Sequence, residues 1–212
     1  MAVSHPVALR WMVRQLLGTA GGPFSVNKFY HDLRGHGIPV AKDTLHAYLS
    51  HLEDAFLIRT IGIATESERR RMVNPRKAYP VDPGLIPVFA RSGKANLGHA
   101  LETAVALDLE RLGAEITYVK TDGGYEVDFL AMYPEGRQEL IQVCADLDSA
   151  AARDREIRSL VEAAREYPRA TLHIIVLNAD AAPDVASGIT VHAASAWLLG
   201  NLKPQSLSGT EP

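Results

Sequence analysis

Apolar residues recur at helical spacing three times within the first 56 positions. Leu9, Val13, Leu16 and Leu17 share one face of a helix over about Val7 to Leu17, which Gly18 and Gly21-Gly22 terminate. Ser25 is a good cap for a second helix carrying Val26, Phe29, Tyr30 and Leu33, closed by Gly35 and Gly37. A third helix, about Ala41 to Ala55, aligns Leu45, Leu49, Leu52 and Phe56 on one stripe. Its other side carries Lys42, His46, Ser50 and Glu53. The pattern then changes to short apolar runs. Phe56-Leu57-Ile58 with Ile61-Gly62-Ile63 reads as a strand and Lys77-Ala78-Tyr79 as its return, across a charged connection from Glu66 to Arg76.

Three helices followed by a hairpin is the pattern of a winged helix-turn-helix, expected over residues 1–81. If such a unit meets DNA, Lys42 and His46 on the third helix and Arg69, Arg70, Arg71, Arg76 and Lys77 on the wing are the candidate phosphate and groove contacts. The third helix also carries Asp43, Glu53 and Asp54, so the wing is expected to supply more of the affinity than the helix. Winged helices serve equally as protein-docking modules.

A Pro- and Gly-punctuated stretch over residues 82–96 is expected to connect this unit to a second one. There the spacing predicts a long apolar helix over residues 97–113. Strands follow at Glu115 to Lys120, Tyr125 to Tyr133 and Gln138 to Cys144. A charged helix, Ala150 to Tyr167, leads to an apolar strand at Thr171 to Leu177. A short strand at Ile189 to His192 and a helix at Ala194 to Leu199 complete the second unit, residues 97–200. The polar tail, residues 201–212, is expected to be disordered.

Helix, three-strand meander, helix and strand is the order of the PD-(D/E)XK nuclease-like core, which makes the expected fold class α/β (α+β) with a mixed central sheet. An active site of that kind takes an acid from the first helix and an Asp from the second strand. The third strand supplies an acid and a Lys two positions apart, so that strand alternation puts both on one face. The carboxylates hold Mg²⁺ while the Lys orients the attacking water. Glu102 and Asp128 match the first two positions, and alternation puts Glu126 on the same face as Asp128. Gln142 and Cys144 stand where the second acid and the Lys belong. Both substitutions remove charge, leaving Glu102 and Asp128 as a weak Mg²⁺ site with poor activation of water. A relocated cation could come from Arg153, Arg155 or Arg158 on the following helix, or from Lys120.

Three stretches together resemble the C-terminal half of a family of bacterial and archaeal AAA+-type ATPases. These are Leu49 to Ile58, Arg76 to Leu85, and Gly98 to Glu102 with Glu126-Val127-Asp128-Phe129. That half is a region of unknown function in which a winged helix feeds into a PD-(D/E)XK-like module. Ile141 to Cys144, followed by Arg155-Glu156-Ile157, resembles the subset with a degenerate nuclease signature. The resemblance implies a noncatalytic nucleic-acid-binding or regulatory module that works with a separate or upstream ATPase. The alternatives are an Mg²⁺-dependent DNA nuclease and a docking or oligomerisation module without nucleic acid. Arg91 to Ala95 lacks the first Gly and the hydroxyl of a phosphate loop, so ATPase activity does not transfer to these residues.

Composition narrows this further. The 212 residues are 47% hydrophobic and 22% charged, an ordinary globular balance that excludes disordered and coiled-coil classes. The single cysteine, Cys144, excludes an internal disulfide framework and points to a reducing compartment. There is no signal-peptide pattern and no clean membrane span, so a cytoplasmic protein without membrane contact is expected. The net charge of -3 conceals an asymmetry: 13 Lys+Arg against 7 Asp+Glu up to Ala95, then 9 against 18. The basic half suits a polyanionic partner. His31, His36, His46 and His51 lack the pattern of a metal site, and Cys144 lacks the His of a nucleophile.

Overall fold

Helix α1 (Pro6–Gly18) opens the first half of the chain, with proline in its first turn. In this computed structural model, which describes residues 4–90, 96–145, 147–177 and 188–200, its buried face is Ala8, Met12, Leu16 and Leu17. Leu9 and Val13, expected at the centre of that face, are only partly buried at its flank. Strand β1 (Pro23–Phe24) follows, and Ser25 caps α2 (Val26–Gly35) by accepting the Lys28 N–H. Helix α3 (Lys42–Asp54) buries Leu45, Tyr48, Leu49 and Leu52. These helices close over one core with Phe24, Phe29, Leu33 and Ile58.

Strands β2 (Ile58–Ile61) and β3 (Arg76–Pro80) pair antiparallel, and β1 adds to the other side of β3, giving the order β1-β3-β2. At two residues, β1 is too short to leave a periodic signal. The charged connection between β2 and β3 contains a further helix, α4 (Glu68–Val73). Ser67 caps it, Glu68 lies in its first turn and Arg70 and Arg71 in its last, a charge order that suits the helix dipole. Helix α5 (Leu85–Phe89) lies in the segment expected to be a connector and packs on α1. A Cβ on Gly18 would come within 2.8 Å of the Phe89 carbonyl oxygen. Residues 91–95, including the loop-like Arg91 to Ala95, and the tail, residues 201–212, lie outside the described residues.

The second half is built from α6 (Leu97–Arg111), β4 (Glu115–Lys120), β5 (Glu126–Met132), β6 (Gln138–Cys144), α7 (Ala150–Glu166), β7 (Thr171–Val176), β8 (Ile189–Ala193) and α8 (Ala194–Gly200). Its sheet has the order β4-β5-β6-β7-β8. The first three strands run antiparallel, and β7 and β8 join β6 in parallel. Leu101, Val105 and Leu109 of α6 pack on one face with Phe129, Ile141, Ile175 and Trp197. Leu160 and Ala163 of α7 cover the other with Leu130, Leu140 and Ile174.

The two halves share structure. Ile61, Ile63 and Tyr79 belong to the same apolar cluster as Leu101 and Val105. Past β2 the chain runs along the free edge of β4. The Tyr118 N–H donates to the Gly62 carbonyl at 3.0 Å, and the Ala64 N–H donates to the Tyr118 carbonyl at 2.8 Å. Strand β3 thereby comes to lie against α6 and the end of β5, which positions the site.

Helix α3 ends with Phe56 in the left-handed region (φ 55°), the residue 68% exposed and its ring lying beneath the Arg59 guanidinium. The turn is closed by the Leu57 N–H donating to the Leu52 carbonyl. A bulky residue there costs about 1–2 kcal/mol, which asparagine largely avoids. Phe56→Asn should therefore raise unfolding stability by about 1 kcal/mol in urea titration. A decrease instead would mean that the Arg59 contact outweighs the strain.

Candidate functional site

The site forms where two strand ladders are interrupted. Strands β5 and β6 pair from Met132↔Gln138 as far as Phe129↔Ile141 and then part. On the other side of β5, Thr117 pairs with Leu130 but Val119 pairs with Val127, so Tyr118 opposes two residues, Asp128 and Phe129. This bulge turns both side chains toward β3. The Phe129 ring packs 5.7 Å from that of Tyr79, and the Asp128 carboxylate reaches Lys77. Where the ladder stops, side chains take over its hydrogen bonds. Asp128 Oδ2 accepts the Val143 N–H at 3.0 Å, and the Asp128 N–H donates to Gln142 Oε1 at 3.4 Å.

Lys77 and Tyr79, two apart on β3, point into this opening from the first half of the chain. Lys77 Nζ lies 2.8 Å from Glu126 Oε1, 3.2 Å from Asp128 Oδ1 and 3.7 Å from Glu102 Oε1. The residue is 6% exposed. Tyr79, fully buried, donates its hydroxyl to Glu102 Oε1 at 2.8 Å. The Tyr118 ring lies 5.6 Å from the ammonium, and its hydroxyl donates to the Pro75 carbonyl just ahead of β3. Behind Glu102 stands Gly21, with φ 71° and its N–H donating to the Ala78 carbonyl. A Cβ there would meet the Glu102 carboxylate oxygens at 2.7 to 2.9 Å. Glycine is required at this position for both its backbone angle and the space it leaves.

The cluster sets one cation against three carboxylates. Burial alone would drive the Lys77 proton off, but Asp128, Glu102 and Glu126 outweigh it and hold the ammonium more firmly than an ordinary lysine. Burial, followed by the Asp128 charge, pushes the Glu102 carboxyl up to about 7, against the pull of Lys77 and Tyr79. Burial and the same carboxylates drive the Tyr79 phenol well up, so its proton stays on oxygen. His99, one turn before Glu102, is shifted down by burial and by Lys77 and stays neutral.

Glu102 and Asp128 therefore converge as their positions in the sequence suggest, and Glu126 joins them. Gln142 takes part through the backbone of Asp128. Cys144 does not: it faces the opposite side of the sheet, packed with Leu140 and Ile157 in the cluster beneath α7. The expectation that the site lacks an ammonium is corrected, because Lys77 supplies it from β3. No ion pair joins Arg153, Arg155, Arg158 or Lys120 to these carboxylates among the described residues; Arg155 is paired with Glu156, and Cys144 and Asp128 add to the negative field that holds its proton. Lys77 is likewise withdrawn from the exposed wing surface on which it was expected to meet phosphate. The signal in the sequence was a lysine beside Ala78 and Tyr79 in a strand buried on both faces. Such a lysine demands a counter-charge, but only the packing of β3 reveals where it is.

The remaining basic candidates are on the surface. Arg69, Arg70 and Arg71 are exposed on α4, with Arg71 pairing with Glu68 at 2.9 Å and donating to the Thr65 carbonyl. Arg76 is exposed and reaches Thr60 Oγ1 at 3.3 Å. Lys42 donates to Asn27 Oδ1 at 2.6 Å with its ammonium over the Tyr30 ring, and His46 is exposed beside it on α3. Among the described residues no three His, Cys, Asp or Glu side chains are grouped to hold a metal ion. No helix among them is long and apolar enough to cross a membrane.

Residues 2–95 match a family described as a domain of unknown function, DUF8612. The match ends before α6, so it includes Lys77 and Tyr79 but none of the carboxylates facing them. No curated protein and no solved structure matches the chain. The α+β architecture, with one small antiparallel sheet and one mixed five-stranded sheet, is thus established by its own packing.

Replacing Lys77 leaves the Glu102 and Asp128 carboxylates facing each other in a largely buried site, with Glu126 at its exposed rim. Lys77→Met should cost about 3–5 kcal/mol of stability at pH 8 by urea unfolding. At pH 5 the cost should be smaller, because the carboxyls can take up protons in place of the ammonium. Glu102 gives a second handle. Its folded pKa, about 7, lies above its ordinary value of 4.5, so the folded state holds the extra proton. That contribution is fully present below pH 4.5 and is lost as pH rises through 7. Glu102→Gln should flatten the decline in stability measured between pH 4.5 and 7.

Proposed function

We propose that the chain is a noncatalytic nucleic-acid-binding or regulatory module, a winged-helix unit set on a PD-(D/E)XK-like domain whose catalytic position is held by an internal ammonium. The observation that carries this reading is Lys77 at the centre of Glu102, Glu126 and Asp128. The order of α6, β4 to β6, α7 and β7 supports the nuclease-like fold, as do the bulge at Asp128 and the parting of the strands beside it. The order β1-β3-β2 beneath α1 to α3 supports the winged-helix reading.

The carboxylates are poorly disposed for Mg²⁺. Glu102 Oε1 accepts from Tyr79, Asp128 Oδ1 and Glu126 Oε1 face Lys77, and Asp128 Oδ2 accepts the Val143 N–H. A divalent ion would have to displace a firmly held ammonium anchored on another strand. Lys77 is also too strongly protonated to take a proton from water at neutral pH. These features favour a structural role for the cluster over phosphodiester cleavage.

Nucleic-acid contact falls to the exposed surface of α4 and the start of β3, where Arg69, Arg70, Arg71 and Arg76 stand together in sequence. An ATPase partner follows only from the family resemblance and is the regulatory form of the same proposal.

Binding of duplex DNA by the full chain should weaken steeply with salt. Combined neutralisation of Arg69, Arg70 and Arg71 should lower affinity at least about tenfold and reduce the salt slope by about 0.9 for each phosphate that is no longer neutralised. No cleavage should appear with Mg²⁺ or Mn²⁺. Salt-insensitive or absent binding would favour the docking reading, and scission abolished by Asp128→Ala would favour the nuclease.

A further inference from the structure

At the far edge of the five-stranded sheet two imidazoles meet. His173 lies on β7 and His192 on the edge strand β8, and His173 Nδ1 is 3.0 Å from His192 Nε2. The other nitrogen of His173 is 2.8 Å from Thr171 Oγ1. Trp197 of α8 closes the group, its ring centroid 4.9 Å from His192 and 5.5 Å from His173. The Trp197 indole N–H is buried with no acceptor among the described residues, so this side chain is held by ring packing rather than by a hydrogen bond.

We propose that His173, His192 and Trp197 form an acid-released latch that seats β8 and α8 on the sheet. The reason is proton arithmetic across the 3.0 Å contact. With both rings neutral, one N–H lies between the two nitrogens and the other nitrogen accepts it. One added proton can sit on an outer nitrogen and leave that contact intact. A second cannot. Both facing nitrogens would then carry hydrogen, and two cations would stand at hydrogen-bond distance in a half-buried site. The rings must separate, and β8 and α8 then lose this side-chain contact and are held by the β7–β8 ladder and the packing of α8 on α6.

Among the described residues, the charged groups acting on the pair do not cancel this repulsion. Glu139 on β6 attracts protons toward both rings, but its carboxylate is already bound by Arg137 and accepts the Tyr133 hydroxyl at 3.0 Å. Arg137, in the turn before β6, opposes protonation of His173. Helix α8 carries no charged residue. Burial shifts both rings below the ordinary histidine value, and His192 lowers His173 further. The latch contribution is therefore complete above pH 6.5 and is lost as pH falls through the lowered values.

Hydrogen exchange of the full chain, corrected for the intrinsic pH dependence of the chemistry, reads this directly. Protection of residues 189–200 should fall at least about tenfold between pH 7.5 and 5, while that of β4 to β6 holds. His192→Gln, which cannot take a proton, should make protection of the segment independent of pH. The same fall in the variant as in the wild type, or no fall in the wild type, overturns the proposal. Should the variant fail to fold, an NMR titration of the two rings in the unaltered protein decides. Two separated steps below pH 6.5 support the latch, and one common step at the ordinary histidine value overturns it.

Discussion

A lysine ammonium buried among three carboxylates is costly to form and difficult to dismantle, and much of this molecule is arranged around that fact. Removing Lys77 and its partners from water is repaid only when every charge finds a close counterpart. The fold meets the demand from three separate elements. Strand β3 brings Lys77 and Tyr79, α6 brings Glu102, and the bulged end of β5 brings Glu126 and Asp128. The absent side chain of Gly21 is as necessary, since any other residue would occupy the space of the Glu102 carboxylate. Burial, and after it the neighbouring Asp128 charge, raise the Glu102 carboxyl to about 7, so part of the negative charge is relieved by a proton rather than by Lys77.

That cluster makes the two halves of the chain interdependent. The ammonium belongs to the small sheet and its counter-charges to the large one and to α6, while Gly62 to Ala64 hydrogen-bond along the edge of β4 and Tyr79 packs on Phe129. The exposed arginines of α4 and the buried Lys77 lie on one short stretch, residues 69–77. The segment that offers positive charge to solvent thus continues directly into the strand that neutralises the acidic site. Withdrawing Lys77 into the interior leaves Arg69, Arg70 and Arg71 as the main cationic feature of the connection between β2 and β3.

Most elements are legible in the sequence because their cause is local. Ser25 caps the helix that follows it as expected, and strands β4 and β6 coincide with their expected spans. The elements that escape notice are short: β1 has two residues, α4 six and α5 five, each below the length at which periodicity can be read. Glu102 and Asp128 stand out by their order in the chain. The role of Lys77 does not, because among the neighbouring basic residues nothing local marks it as the one that turns inward.

The amino-acid sequence by itself determined the longer helices and strands, their order and the two acids, since caps, turns and side-chain alternation act over a few residues. Only the tertiary structure decided what those acids face. Strict alternation along β6 would place Gln142 and Cys144 beside Asp128. The register of β4 and β5 creates a bulge that turns Asp128 toward β3 instead, leaving Cys144 on the opposite face. A buried charge is satisfied by whatever cation the packing brings near, and here that cation comes from a strand far earlier in the chain, Lys77 and Asp128 being separated by 51 positions.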